Sequence, residues 1–107
     1  MNEYQQKAMR TKKIYQAHKD QVINGLLGLA GESGEVCEIL KKHYSVGKEI
    51  DKEKLGLELG DVMWYIAELC DAFGFDMSDV AQKNLDKLAA RHGDKFSGSG
   101  DRTGKGA

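Results

Sequence analysis

Apolar residues recur at intervals of three and four along most of this chain, the spacing that places them on one side of an α-helix, and the breaks between such runs fall at glycines and short polar clusters. Asn2 followed by Gln5 resembles a capping box, in which each side chain satisfies a free backbone N–H of a helix start. A first helix is therefore predicted from about Glu3 into the teens, with Tyr4, Ala8, Thr11 and Tyr15 inward and Gln5, Gln6 and Arg10 outward. Residues 18–21 (HKDQ) read as a turn. A second helix is predicted over about Val22 to Tyr44, with Leu26, Leu29, Ala30, Ser33, Val36, Cys37 and Leu40 as its buried stripe and Glu32, Glu35 and Glu38 on a different side. Gly25, Gly28, Gly31 and Gly34 interrupt it at every third position, each at a cost of up to about 1 kcal/mol relative to Ala. Such a row predicts the close approach of a neighbouring helix.

Residues 45–51 (SVGKEID) form the next connection, with Gly47 as helix stop and Asp51 as the following N-cap. The third helix runs to about Phe73. Its expected core stripe is Leu55, Leu59, Val62, Ile66, Leu69 and Phe73, beside a second stripe of Glu58, Asp61, Tyr65 and Glu68. Gly74 ends it, and Asp76 with Asp79 caps a fourth helix reaching about His92. That helix is expected to bury Met77, Ala81, Leu85 and Leu88 and to carry Lys83, Asn84, Lys87 and Arg91 alongside. Residues 97–107, rich in glycine and polar groups, read as a mobile tail outside a domain spanning residues 1–96.

Composition sharpens this into an all-α, four-helix bundle-like domain, since the chain has no proline and only 107 residues. Four short helices enclose a small core, and Met63, Trp64, Tyr65 and Ile66 make the third helix apolar almost all round, so a homodimer or homotetramer is expected. Sixteen Lys and Arg against 17 Asp and Glu leave no global field to attract a nucleic-acid polymer or an anionic membrane. Neither a signal core nor a membrane-length apolar run is visible, and Cys37 and Cys70 read as reduced core thiols; together these predict a cytoplasmic protein.

The candidate chemistry lies in the acids. Glu35 and Glu38 form an E-x-x-E, Glu58 and Asp61 an E-x-x-D, and each pair sits about one turn apart on its helix. The intervening segment, Ile39 to Leu57, is long enough for an antiparallel return, which would let the pairs face each other. Convergent carboxylates repel and take up protons unless a cation neutralises them. All-oxygen donors suit Mg²⁺, with Mn²⁺ as a substitute, and these ions share their coordination with phosphates. A di-iron site is disfavoured because no His has a Glu three residues before it. Gly104-Lys105 fails as a phosphate-binding loop because Ser99 and Gly106 stand where a Gly and a Ser or Thr are required.

The segments GLAGESGEVCEILKK and LGLELGDVMWYIAEL resemble the MazG-like branch of the all-α nucleoside triphosphate pyrophosphohydrolases, and the likeness runs from NEYQQKAMRT through NLDKLAARHGDKF. The resemblance implies four helices, dimers or dimers of dimers, and Mg²⁺-dependent cleavage of a nucleoside triphosphate between its α and β phosphates, giving monophosphate and pyrophosphate. It implies Glu35, Glu38, Glu58 and Asp61 as metal ligands; for the reaction itself, Glu35 or Glu38 is expected to orient or deprotonate the attacking water. Lys54, Lys87 and Arg91 match its phosphate-contacting positions, and Asn84 shares their stripe. Gln5, Gln6, Trp64 and Tyr65 are the candidate base contacts, for a deoxynucleotide or a non-standard nucleotide. Two positions depart from the pattern: Gly34 stands where many relatives have a second Glu directly before E-x-x-E, and Gly93 stands in place of a Pro. Glu32 is nearby but on another part of the helix. The rival readings are a phosphoribosyl-ATP pyrophosphohydrolase and a catalytically silent helical interaction module.

Overall fold

The computed structural model describes residues 2–93; the expected tail lies outside the described residues. The described chain forms four helices, α1 (Asn2–Met9), α2 (His18–Val46), α3 (Lys52–Ala72) and α4 (Met77–His92). Among the described residues there is no strand, and no helix is long and apolar enough to cross a membrane.

The helix ends follow the local chemistry closely. At the α2 terminus Gly47 adopts φ 77°, a left-handed conformation that costs a residue without Cβ little, and its N–H bonds the His43 carbonyl while Lys48 N–H bonds that of Lys42. Asp51 then caps α3 by accepting from Lys54 N at 3.1 Å, and Asp76 caps α4 by accepting from Ser78 N. Two expectations fail at the other end of the molecule. Helix α1 stops at Met9, because Thr11 turns its hydroxyl onto the Ala8 carbonyl, which also takes the Trp64 indole N–H. Residues 18–21, expected as a turn, form the first turn of α2.

The frame is an antiparallel α2–α3 hairpin, paired as Gln21 with Asp71, Asn24 with Glu68, Gly28 with Tyr65 and Glu32 with Asp61. The glycine row explains itself at two of its four positions. A Cβ on Gly25 would lie 2.8 Å from Leu69 Cδ2, and one on Gly28 only 2.1 Å from Tyr65 Cε1, whereas Gly31 and Gly34 face open space. Helix α1 packs on α3, and α4 docks on α1.

The seam between α2 and α3 is largely polar, so the apolar stripes are displaced from it. Leu26, Ala30, Cys37, Leu59, Ile66, Phe73 and Leu85, expected as core, are exposed; Leu26 retains 56% of its accessible surface and Leu59 48%. Wholly buried apolar residues are Ala8, Ala67, Cys70 and Met77, with Tyr4, Met9 and Trp64 packed against them. Residues turn about 100° per step on a helix, which puts Leu26 and Ala30 nearly half a turn from Gly28 on α2 and Leu59 and Ile66 roughly a third of a turn from Tyr65 on α3. The molecule is accordingly a slab of 47 × 39 × 21 Å with a radius of gyration of 16.9 Å, against about 13 Å for a compact chain of this length.

Candidate functional site

One turn of α2 and one of α3 meet midway along the seam and bring Glu32, Glu58 and Asp61 together, with one carboxylate oxygen of each within 4.8 Å of the others. Their pairing follows from the hairpin register, because Glu32 lies one turn beyond Gly28 and Asp61 one turn before Tyr65. Among the described residues no Lys, Arg, amide or hydroxyl donor reaches any of the three. The hydrogen bond that the neutral Glu32 carboxyl donates to Glu58 is the largest influence on it; burial and the charges of Asp61, Glu58 and Glu35 add to it, and the Glu32 carboxyl is pushed up to about 7. Oxygen donors that repel one another and lack any other counter-charge fit a hard divalent cation.

The acid set differs from the expected one in a single register. The α2 acids contain two overlapping E-x-x-E patterns, Glu32 to Glu35 and Glu35 to Glu38, and the hairpin seats Glu32, which opens the first, against Glu58 and Asp61. Glu38 is six residues from Glu32 and so about 120° around the helix; it is exposed and paired with Lys42 at 4.0 Å. Glu35 lies between the two and is close enough to act on the charge of Glu32. Glu32 escapes the sequence pattern because the stripe from Leu26 to Leu40 is the stronger periodic signal and points to a different contact face. Gly25 and Gly28 carried the missing signal: they mark the face of close approach, and Glu32 continues that face.

Two open grooves flank the acids. One, of ≈ 330 Å³, is lined by Glu32, Asp61, Trp64 and Tyr65. The other, of ≈ 240 Å³, begins at Glu35 and Glu38 and runs to the Gly47 corner, with Lys42, Lys48 and Lys54 among its lining. Asn84, Lys87 and Arg91 line neither groove; all three are exposed on α4, which docks on α1. The expected convergence of these α4 residues with the carboxylates is therefore absent within one chain.

The four base-contact candidates separate clearly. Gln5, expected on a solvated face, is buried and its amide is engaged at both ends, donating to Phe75 O at 2.9 Å and accepting from Met77 N at 2.8 Å. It joins α1 to the start of α4, which also removes it from the capping box. Gln6 is exposed on α1 and lines neither groove. Trp64 turns its indole N–H to Ala8 O and Thr11 Oγ1, leaving a ring edge in the groove beside Tyr65, whose ring stands T-shaped to it at 5.1 Å.

Further down the seam other acids have been given partners. Glu68 is fully buried and accepts from Tyr15 Oη at 2.6 Å and Asn24 Nδ2 at 2.8 Å. Asp71 accepts from Lys12 and Gln21, and the Lys12 hydrogen bond, opposed in part by burial, holds its carboxyl below the ordinary range. Both cysteines are free thiols; Cys70 is buried, but Cys37, expected in the core, is exposed because its stripe faces outward.

A family model described as the MazG nucleotide pyrophosphohydrolase domain matches residues 21–96 of the chain. The chain is also similar to the "Gene 37 protein" of Mycobacterium phage L5, with 41% identity over 81 residues, 70% of each chain. No solved structure matches.

Proposed function

The chain belongs to the MazG nucleotide pyrophosphohydrolase family, and from that premise we propose that it hydrolyses a nucleoside triphosphate, a deoxynucleotide or a non-standard one, at the α–β phosphoanhydride in a Mg²⁺-dependent reaction. The observation that carries this reading is the trio of carboxylates without donors, Glu32, Glu58 and Asp61. These residues would hold Mg²⁺, with Glu35 one turn further along α2 completing the acid set. When bound, Mg²⁺ supplies electrostatic stabilisation of the phosphate charge that grows as pyrophosphate departs. Glu35, beside the trio and exposed to water, orients the attacking water and accepts its proton. Lys54, one turn before Glu58 on the same stripe of α3, faces the phosphates.

We further infer that two copies pair through exposed apolar residues of α2 and α3, Leu26, Leu59, Met63 and Ile66 among them, since the core of one chain is so small. A phosphate contact from Asn84, Lys87 or Arg91 then requires the second copy. Sedimentation at micromolar concentration tests this pairing: a dimer or dimer of dimers is expected, and a stable monomer overturns it. The activity is tested by incubating the full chain with a panel of nucleotides in Mg²⁺, Mn²⁺ or EDTA and separating the products. Monophosphate with pyrophosphate, abolished by EDTA, is the expected result. Diphosphate with orthophosphate, or no turnover of any nucleotide, overturns it.

A further inference from the structure

Glu68 is a buried carboxyl that the metal chemistry above does not use. It sits fully buried in the α2–α3 seam, and among the described residues no Lys or Arg pairs with it. Both of its partners are neutral: Tyr15 Oη donates at 2.6 Å from the α1–α2 connection, and Asn24 Nδ2 donates at 2.8 Å from α2. Burying a carboxyl costs free energy that a hydrocarbon side chain of similar size does not. Stability alone therefore does not account for an acid at this position; what it gathers around itself does.

The groups it gathers adjoin Tyr65. On α3, Tyr65 precedes Glu68 by one turn, and on α2, Gly28 follows Asn24 by one turn. The Tyr65 ring lies against Gly28, stands T-shaped to Trp64 at 5.1 Å, and is close enough to Tyr15 for the one phenol to act on the other. The Tyr65 hydroxyl makes no hydrogen bond among the described residues, so the ring has no polar anchor of its own and takes its orientation from these walls. Tyr15 belongs to a segment outside any helix, residues 10–17. Burial, and then the bond to Glu68, push its hydroxyl up to about 12, which keeps it a donor at neutral pH. Thr11, in the same segment, accepts the Trp64 indole N–H at 2.9 Å. The connection thus reaches both rings of the groove that Glu32 and Asp61 also line.

We propose that Glu68 is a positioning residue: by joining Tyr15 to Asn24 it clamps the α1–α2 connection to α2 and so fixes the Tyr65 ring as the wall of the groove beside the acids. This rests on the pyrophosphohydrolase reading and concerns how its substrate is admitted. The clamp acts on substrate binding and leaves metal binding alone, since none of its three members belongs to the acid trio or lines the groove. Released from it, the Tyr65 ring samples orientations that narrow the groove, and substrate binds only the fraction of molecules in which the groove is open.

The test follows the ring and the substrate separately in the full chain. With isotope-labelled tyrosine, the Tyr65 ring resonance, assigned from Tyr65→Phe, is recorded without metal or nucleotide; Mg²⁺ affinity is measured by calorimetry, and kcat and KM with the four common deoxynucleoside triphosphates, dUTP and dITP. Wild type is compared with Tyr15→Phe, which removes only the hydroxyl, with Glu68→Gln, whose amide can accept from Asn24 and donate to Tyr15, and with Lys12→Gln, which cuts the neighbouring tie to Asp71. Tyr15→Phe should shift and broaden the Tyr65 resonance and raise KM about three- to tenfold, the range that one hydrogen bond commands, with kcat and Mg²⁺ affinity within about twofold of wild type. Glu68→Gln should stay close to wild type, and Lys12→Gln should lower the melting temperature without moving the Tyr65 resonance or KM. A Tyr65 resonance unmoved by Tyr15→Phe, or moved as far by Lys12→Gln, overturns the clamp, and so does a moved ring with KM unchanged. A wild type that turns over none of the nucleotides overturns the hydrolase reading and the clamp's use with it; the ring resonance, which needs no nucleotide, keeps the two failures apart.

Discussion

The two halves of the α2–α3 seam use the same residue types for opposite ends. Near the start of α2, Glu68 and Asp71 are each met by two donors, and those donors arrive from α2 and from the α1–α2 connection. Two turns along α3 from Glu68, Asp61 faces Glu32 and Glu58 with no such donor among the described residues. Burial alone does not separate these cases, because Asp71 and Glu58 are both half-buried. What separates them is provision of partners. An acid supplied with donors fastens the fold, and acids supplied only with one another are poised for a cation.

The contrast is most directly broken by exchanging an acid in each half. Asp61→Asn removes an expected ligand and should lower Mg²⁺-dependent hydrolysis by about 10²–10³-fold, while the metal-free protein melts no lower than wild type because repulsion is relieved; product assays and thermal melts read the two effects. Glu68→Ala should do the converse. It strands the Tyr15 hydroxyl and the Asn24 amide at a fully buried position, costing about 3 kcal/mol or more, seen as a lower denaturation midpoint with Mg²⁺ affinity retained by the folded protein.

Gly28→Ala strikes the boundary between the halves. Its Cβ would fall 2.1 Å from the Tyr65 ring, so the ring must swing aside or the helices part, at about 1–3 kcal/mol in stability; Gly31→Ala, facing open space, should stabilise slightly, and paired denaturant melts compare them.

The smallest effect is with pH, and its sign differs between the halves. Asp71 is held low by Lys12 and Gln21, so its contribution is present above the ordinary carboxylate pKa and is lost as pH falls toward its lowered value. Glu32, pushed up to about 7, contributes favourably below the ordinary value and loses that contribution as pH rises through 7. Added Mg²⁺ should therefore raise the melting temperature more at pH 8 than at pH 6, and an equal gain at both would contradict the assignment.

Much of this frame was legible in the sequence. Gly47, Asp51, Gly74 and Asp76 punctuate the helices where their backbone chemistry requires, and E-x-x-D occupies the predicted stripe. The orientation of α2 was not legible, because its leucine stripe carries the stronger periodic signal while its glycine face makes the closer contact. Hydrophobicity indicates what must leave water and is silent on whether the cover is the same chain. Gln5 misled for a related reason: an amide on a polar face reads as solvated until a second element offers it a carbonyl and an N–H, and Phe75 and Met77 are seventy residues away.

Trp64 stands at a junction with an optical consequence. It is the single tryptophan of the chain, its N–H is bonded into the α1 turn, and its ring meets Tyr65 edge-on in the groove beside the acids. The tryptophan emission of the protein thus originates at one indole that senses both helix docking and whatever enters the groove. Occupancy and local unfolding become readable from emission colour and intensity without a label, a gauge installed by the packing itself.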